Sequence, residues 1–141
     1  MKRITSALLL IAVLIVFSGC GASEYQFLHP VDEITEIAIV DLTLVVRSES
    51  EVEVEYTTAA SITDTDTFID DFNSIVFHTY LFGESSKLTS GFRAIMLVYE
   101  NGDREYICPH TQMKIIDGIE YTGRNNCSDD DFEKLIKKYV K

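Results

Sequence analysis

The feature that most constrains this 141-residue chain is an unbroken apolar run of eleven residues, 7–17, set just behind Lys2 and Arg3. A membrane-spanning helix needs about twenty such residues to cross a hydrocarbon core of about 30 Å, so this run is too short to span. It is also too uniformly apolar to lie on the surface of a folded domain. A basic start, a short apolar stretch and the small residues Ser18 and Gly19 form the plan of an export leader. The folding unit is therefore the remainder of the chain, long enough for one domain with a modest core. The chain divides into a leader (1–19), a tether that starts at Cys20 (20–32), and a single extracytoplasmic domain (33–141).

The four residues Phe17-Ser18-Gly19-Cys20 resemble the lipobox of bacterial lipoproteins, with Phe17 where Leu is usual. The resemblance implies that Cys20 carries a thioether-linked diacylglycerol with acyl chains such as palmitate, and that cleavage falls just before it. Two acyl chains bury many methylenes at about 0.8 kcal/mol each, enough for stable attachment where one chain is not. The expected place is the extracytoplasmic face of the cell membrane, with the membrane as partner through Cys20.

Charge narrows the other partners. The formal net charge is −11, and loss of Lys2 and Arg3 with the leader takes it to −13. Such a surface repels phosphate backbones and anionic lipid alike, which argues against nucleic acid. An envelope protein or a wall component remains as a candidate partner.

Hydrophobic periodicity gives the elements. Val40, Leu42, Leu44 and Val46 alternate along one strand, and Val52, Val54 and Tyr56 alternate with Glu51, Glu53 and Glu55 along the next. Ser48-Glu49-Ser50 joins them as a hairpin. Phe68, Ile69, Phe72, Ile75 and Val76 fall at helical spacing, with Asp64 or a neighbouring Thr as N-cap. A short strand is expected over 78–82 and a loop over 83–91. Residues 92–99 and 104–108 read as strands joined at Asn101-Gly102, where a type I′ turn with two positive φ angles is expected. Residues 113–116 and 119–122 repeat that plan around Asp117-Gly118. Ser128 caps a last helix that has Asp129, Asp130 and Asp131 in its first turn and lysines later, a polarity that suits the helix dipole. The expected fold is α+β: an antiparallel β-sheet built of hairpins with two amphipathic helices packed on it. A closed, barrel-like sheet is the alternative.

With those elements placed, residues 34–140 resemble a family of small uncharacterised lipoproteins of Gram-positive, clostridia-like bacteria. The residues that carry it are Ile62-Thr63-Asp64 leading to Phe68 and Phe72, the strand Gly91-Phe92-Arg93-Ala94-Ile95, and the turn Tyr99-Glu100-Asn101-Gly102-Asp103. Glu105-Tyr106-Ile107, Phe132-Glu133-Lys134-Leu135-Ile136 and then Lys138-Tyr139 complete the set. The resemblance implies an anchored, compact domain at the cell surface and brings no assigned activity.

Few residues offer reactive chemistry. With Cys20 acylated, Cys108 and Cys127 remain; they form either a disulfide, as an oxidising compartment permits, or two separate thiols. Cys108-Pro109-His110 places a thiol and an imidazole two residues apart, but the proline and a turn work against a preorganised nucleophile and base. His29, His78 and His110 lack zinc-ligand spacing. The acidic runs at 64–71 and 125–131 lack the Gly and terminal Glu of an EF-hand loop, and helix capping explains them more simply. There is no Gly-x-Ser-x-Gly elbow and no phosphate-cradling glycine loop. Tyr80, Phe82 and Phe92 flank the 83–91 loop and form a candidate partner-binding edge if exposed. The expectation is a non-enzymatic binding or envelope-associated lipoprotein without cofactor or metal. The alternatives are a small cell-wall hydrolase, and an inhibitor or immunity-type lipoprotein that inserts the 83–91 loop.

Overall fold

Six strands of alternating sequence pair in one antiparallel sheet. The computed structural model describes residues 22–48, 51–78 and 91–141. The long hairpin of β2 (Ile34–Ser48) and β3 (Glu51–Ile62) leads. β5 (Arg93–Tyr99), β6 (Arg104–Ile107), β7 (Thr111–Ile116) and β8 (Ile119–Arg124) come after it, in the sheet order β3-β2-β5-β6-β7-β8. A second, two-stranded sheet pairs β1 (Ala22–Ser23) with β4 (Phe77–His78). Helix α1 (Thr65–Asn73) interrupts the run of hairpins, and α2 (Asp129–Tyr139) ends the chain. The α+β class expected from the sequence is the class observed. Cys20, Tyr80, Phe82, the 49–50 turn, the far end of the 78–82 strand and most of the 83–91 loop lie outside the described residues, as do the side chains of Leu44, Val46 and Val52. Among the described residues, no helix is long and apolar enough to cross a membrane.

The two short hairpins differ from each other in a way the sequence did not separate. Asp117 (φ 52°) and Gly118 (φ 79°) both take positive φ between the paired Ile116 and Ile119, which is a type I′ turn. At Asn101-Gly102 only Gly102 does, with φ 88°. There the Gly102 N–H donates to the Tyr99 carbonyl at 2.9 Å and the Tyr99 N–H to the Asp103 carbonyl at 3.0 Å, a three-residue loop closed by a glycine bulge. The type I′ expectation at this turn is therefore corrected. Asn101 spends its side chain on Asp103 instead, accepting from the Asp103 N–H at 3.0 Å, which a two-residue turn would not allow.

The sheet buries apolar side chains on both faces. Ile37, Ile39, Ile95, Leu97, Tyr99 and Ile107 pack beneath the helices with Phe68, Phe72, Phe132, Leu135 and Ile136. Their alternate neighbours Ala38, Val40, Ala94, Met96, Tyr106 and Cys108 form a second cluster, together with Leu42 and Met113. Helix α1 is capped as expected: Asp64 accepts from the Thr67 N–H at 3.1 Å. It stops before the apolar period does, because the Ser74 hydroxyl donates to the Asp71 carbonyl at 2.6 Å and turns the chain. Ile75 still reaches the core, but Val76 is exposed. Ser128 caps α2, and Asp71 on α1 receives both Lys138 and the Tyr139 hydroxyl from α2, which locks the two helices together.

Residues 22–32 are not a free tether, and this corrects the expectation from sequence. Tyr25 is buried, and its ring lies 5.4 Å from Phe72 and 5.0 Å from Phe77. Phe27 and Leu28 pack against the same core, and Val31–Glu33 form one 3-10 turn into β2. The physical cause is Glu105, which is wholly buried on β6. Its carboxylate accepts from the Tyr25 hydroxyl at 2.6 Å, the Tyr99 hydroxyl at 2.7 Å and the Leu28 N–H at 3.1 Å, with Lys114 at 3.3 Å. A buried carboxylate demands such donors, and the N-terminal segment supplies two of them. Farther along, His29 meets Asp103 at 2.7 Å.

These pairings set a pH dependence. Hydrogen bonds from His29, then from the Asp117 N–H and Asn101, hold the Asp103 carboxyl below the usual 3.8; Lys138 and Tyr139 do the same for Asp71, and Arg93 for Asp41. A depressed folded-state pKa gives stability that is present above the ordinary carboxylate range and lost as pH falls through it. In the other direction, burial and then Asp71 push Tyr139 up to about 12, and burial pushes both thiols from 9.0 to about 12. Raised acids contribute stability that is lost as pH climbs from their ordinary values toward the folded ones. The urea midpoint is expected to be flat between about pH 5 and 8, and lower at both about pH 3 and about pH 10.5. Equal midpoints at all three would contradict these assignments.

Candidate functional site

A concavity lies where the end of the central strands meets α2. Its construction begins with a tight turn. The Cys108 N–H donates to the Thr111 carbonyl at 2.9 Å, which closes a turn over Pro109 and His110 within the three-residue link between β6 and β7. All three carbonyls of 108–110 are then taken by the chain that leads into α2. The Asn125 side chain donates to Cys108 at 2.7 Å, the Cys127 N–H to Pro109 at 3.0 Å and the Asn125 N–H to His110 at 3.3 Å. Asn125 is buried, and this bracket fixes where α2 starts.

The result is a cleft of about 620 Å³ with a mainly apolar lining, Phe92, Pro109, Phe132 and Ile136 foremost. Clefts of this size and character commonly hold small molecules or partner side chains. Its rim is charged in matched pairs. Arg93 grips Asp41 through two hydrogen bonds of 2.8 and 3.2 Å, across the register that pairs β2 with β5. His110 lies 3.1 Å from Asp129, and Lys137 lies 2.7 Å from Glu133. Such a site can take an apolar body and orient a polar head at its edge.

The sequence-derived candidates are distributed unevenly around it. Phe92 is in the lining and is 45 % exposed, so this member of the expected aromatic edge faces the cleft. Phe77 on β4 is core. Cys108 and Cys127 are both buried free thiols. They belong to different core clusters, Cys108 with Met96 and Tyr106 and Cys127 with Phe77 and Phe132, and the disulfide alternative is not formed. With pKa values raised to about 12, chiefly by burial, both stay protonated at neutral pH, and a protonated thiol is a poor nucleophile. His110 turns its Nε2 to Asp129. Among the described residues, no group of three or more His, Cys, Asp or Glu is placed to hold a metal ion.

Two features escaped the sequence reading. Phe132 and Ile136, which α2 buries against the core, are also cleft wall. Glu105 read as an ordinary strand residue, yet a signal was present: it shares the parity of Ile107, an inward position, in a strand where period two should place a carboxylate outward. Set against family models, curated proteins and solved structures, the chain matches none of them.

Proposed function

We propose that this protein is a membrane-anchored extracytoplasmic lipoprotein whose domain is a non-enzymatic binding module, with the cleft between α2 and the β6–β7 turn as its ligand seat. The observation that carries the anchor is the sequence Ser18-Gly19-Cys20 behind an eleven-residue apolar run. The binding reading is supported by the apolar walls and paired charges of the cleft, which suit an amphiphilic ligand of the envelope. It is supported too by the direction of the ionisation shifts. Asp41, Asp64, Asp71 and Asp103 are all held low by hydrogen bonds, the behaviour of structural carboxylates rather than of general acids.

Native mass spectrometry of the protein extracted from membranes tests both halves. The expected species begins at Cys20 and carries acyl mass, and it retains a bound amphiphile that Ile136→Trp, which fills the cleft, displaces. Cys20→Ala is expected to leave the precursor uncleaved. A mature species without acyl mass would remove the anchor, and steady turnover of a wall substrate by the pure protein would remove the non-enzyme reading.

A further inference from the structure

The lack of a tether constrains where a lipid-anchored domain can sit, granted the lipoprotein reading. Only Gly21 separates Cys20 from the first paired residue, Ala22. Two peptide steps span about 7 Å at most. The headgroup layer on each side of a bilayer is itself about 5–7 Å deep. The part of the fold that contains β1 therefore cannot stand clear of the lipid surface.

That part is a junction of three chain segments. Ala22 and Ser23 pair with His78 and Phe77. On its other side β4 meets the chain before α2: the His78 N–H donates to the Asn126 carbonyl at 2.7 Å, and Phe77 bridges to Cys127. A polar pocket of about 230 Å³ opens there, lined among others by Glu24, His78, Lys114, Arg124 and Asn126. Lys114 answers Glu105 beneath it, and the rest of the lining holds Arg124, His78 and amides with the one carboxylate of Glu24. In a domain of net charge −13 this end is close to balanced and rich in hydrogen-bond donors. The acidic strand β3 would meet anionic headgroups with repulsion; this pocket lining would not.

We infer that the β1–β4 junction, with the pocket beside it, is the surface that lies against the phospholipid headgroups, the phosphodiesters accepting hydrogen bonds from its donors, so that the anchored domain has one fixed face toward the membrane. The test uses the full-length, processed protein reconstituted in phosphatidylglycerol–phosphatidylcholine vesicles that carry a headgroup-linked quencher. Fluorophores are placed singly through His78→Cys, in the junction, and Thr57→Cys, on β3 at the opposite edge of the sheet from β8. The native thiols are buried and take up little label. The His78→Cys probe is expected to be quenched several-fold more strongly than the Thr57→Cys probe. A twenty-residue Gly-Ser insertion after Gly21 is expected to erase most of that contrast. Acylated protein with equal quenching at both sites, or a contrast unchanged by the insertion, overturns the inferred orientation and leaves the anchor standing. Protein without acyl mass overturns the anchor and the orientation with it.

Discussion

Glu105→Ala is expected to destabilise the domain by about 3–5 kcal/mol, the usual cost of removing one partner from a buried charged pair. The Tyr99 hydroxyl and the Leu28 N–H lose their acceptor while still enclosed, the Tyr25 hydroxyl is left with Gln112 Oε1 at 2.7 Å, and Lys114 loses the charge it answers. Each unsatisfied donor costs about 1–3 kcal/mol unless water reaches it. Water reaches these by displacing the N-terminal segment, so the effect should be directional. Amide exchange is expected to rise first at Tyr25, Leu28 and their neighbours, before the helices loosen. Glu105→Gln, which keeps the volume and one acceptor oxygen, is expected to lose less. Burial first and then Glu105 push both tyrosine pKa values up, which keeps their hydroxyls as donors at neutral pH. Urea unfolding with exchange mass spectrometry measures both effects. An Ala variant within experimental error of the parent would show that the carboxylate does not organise the segment.

Phe72→Ala is the second large effect, with an expected loss of about 3–5 kcal/mol. Phe72 is 1 % exposed, and its ring lies 5.4–5.5 Å from Tyr25, Phe27 and Phe77 and 6.5 Å from Phe68. It stands where three segments meet: α1, the N-terminal segment and β4. Aromatic pairs add about 0.5–1.5 kcal/mol beyond buried area, so the spread of contacts matters as well as the cavity. The neighbours are themselves rigid rings and cannot collapse into the space. Phe72→Leu should recover much of the loss, because most of the volume returns. Thermal unfolding of the two variants decides it, and a loss below about 1 kcal/mol for the Ala variant would mean that the site relaxes freely.

Much of the architecture was legible because it derives from periodicity. The alternation of Val40, Leu42 and Val54, the helical spacing of Phe68, Ile69 and Phe72, and the caps Asp64 and Ser128 are local signals, and each element they announce is present. Turn identity was less legible. Asn-Gly and Asp-Gly look alike as dipeptides, and the side-chain bond between Asn101 and Asp103 that tells the two turns apart is not encoded in the pair. The N-terminal segment was misread because its composition is that of a linker, and its fate is decided by Glu105, some eighty positions away. The cleft was not legible at all. It depends on how the Asn125 bracket sets α2 against the sheet, a tertiary distance to which no periodicity points.

The early arrival of Tyr25 in the core also fixes where this protein can be cut. A shortened version that begins at Glu33, as a linker reading would suggest, discards the phenol and the amide that satisfy the β6 carboxylate, along with the partner of β4. The smallest piece that retains those contacts starts at Ala22, two residues after Cys20, the position of the proposed lipid anchor.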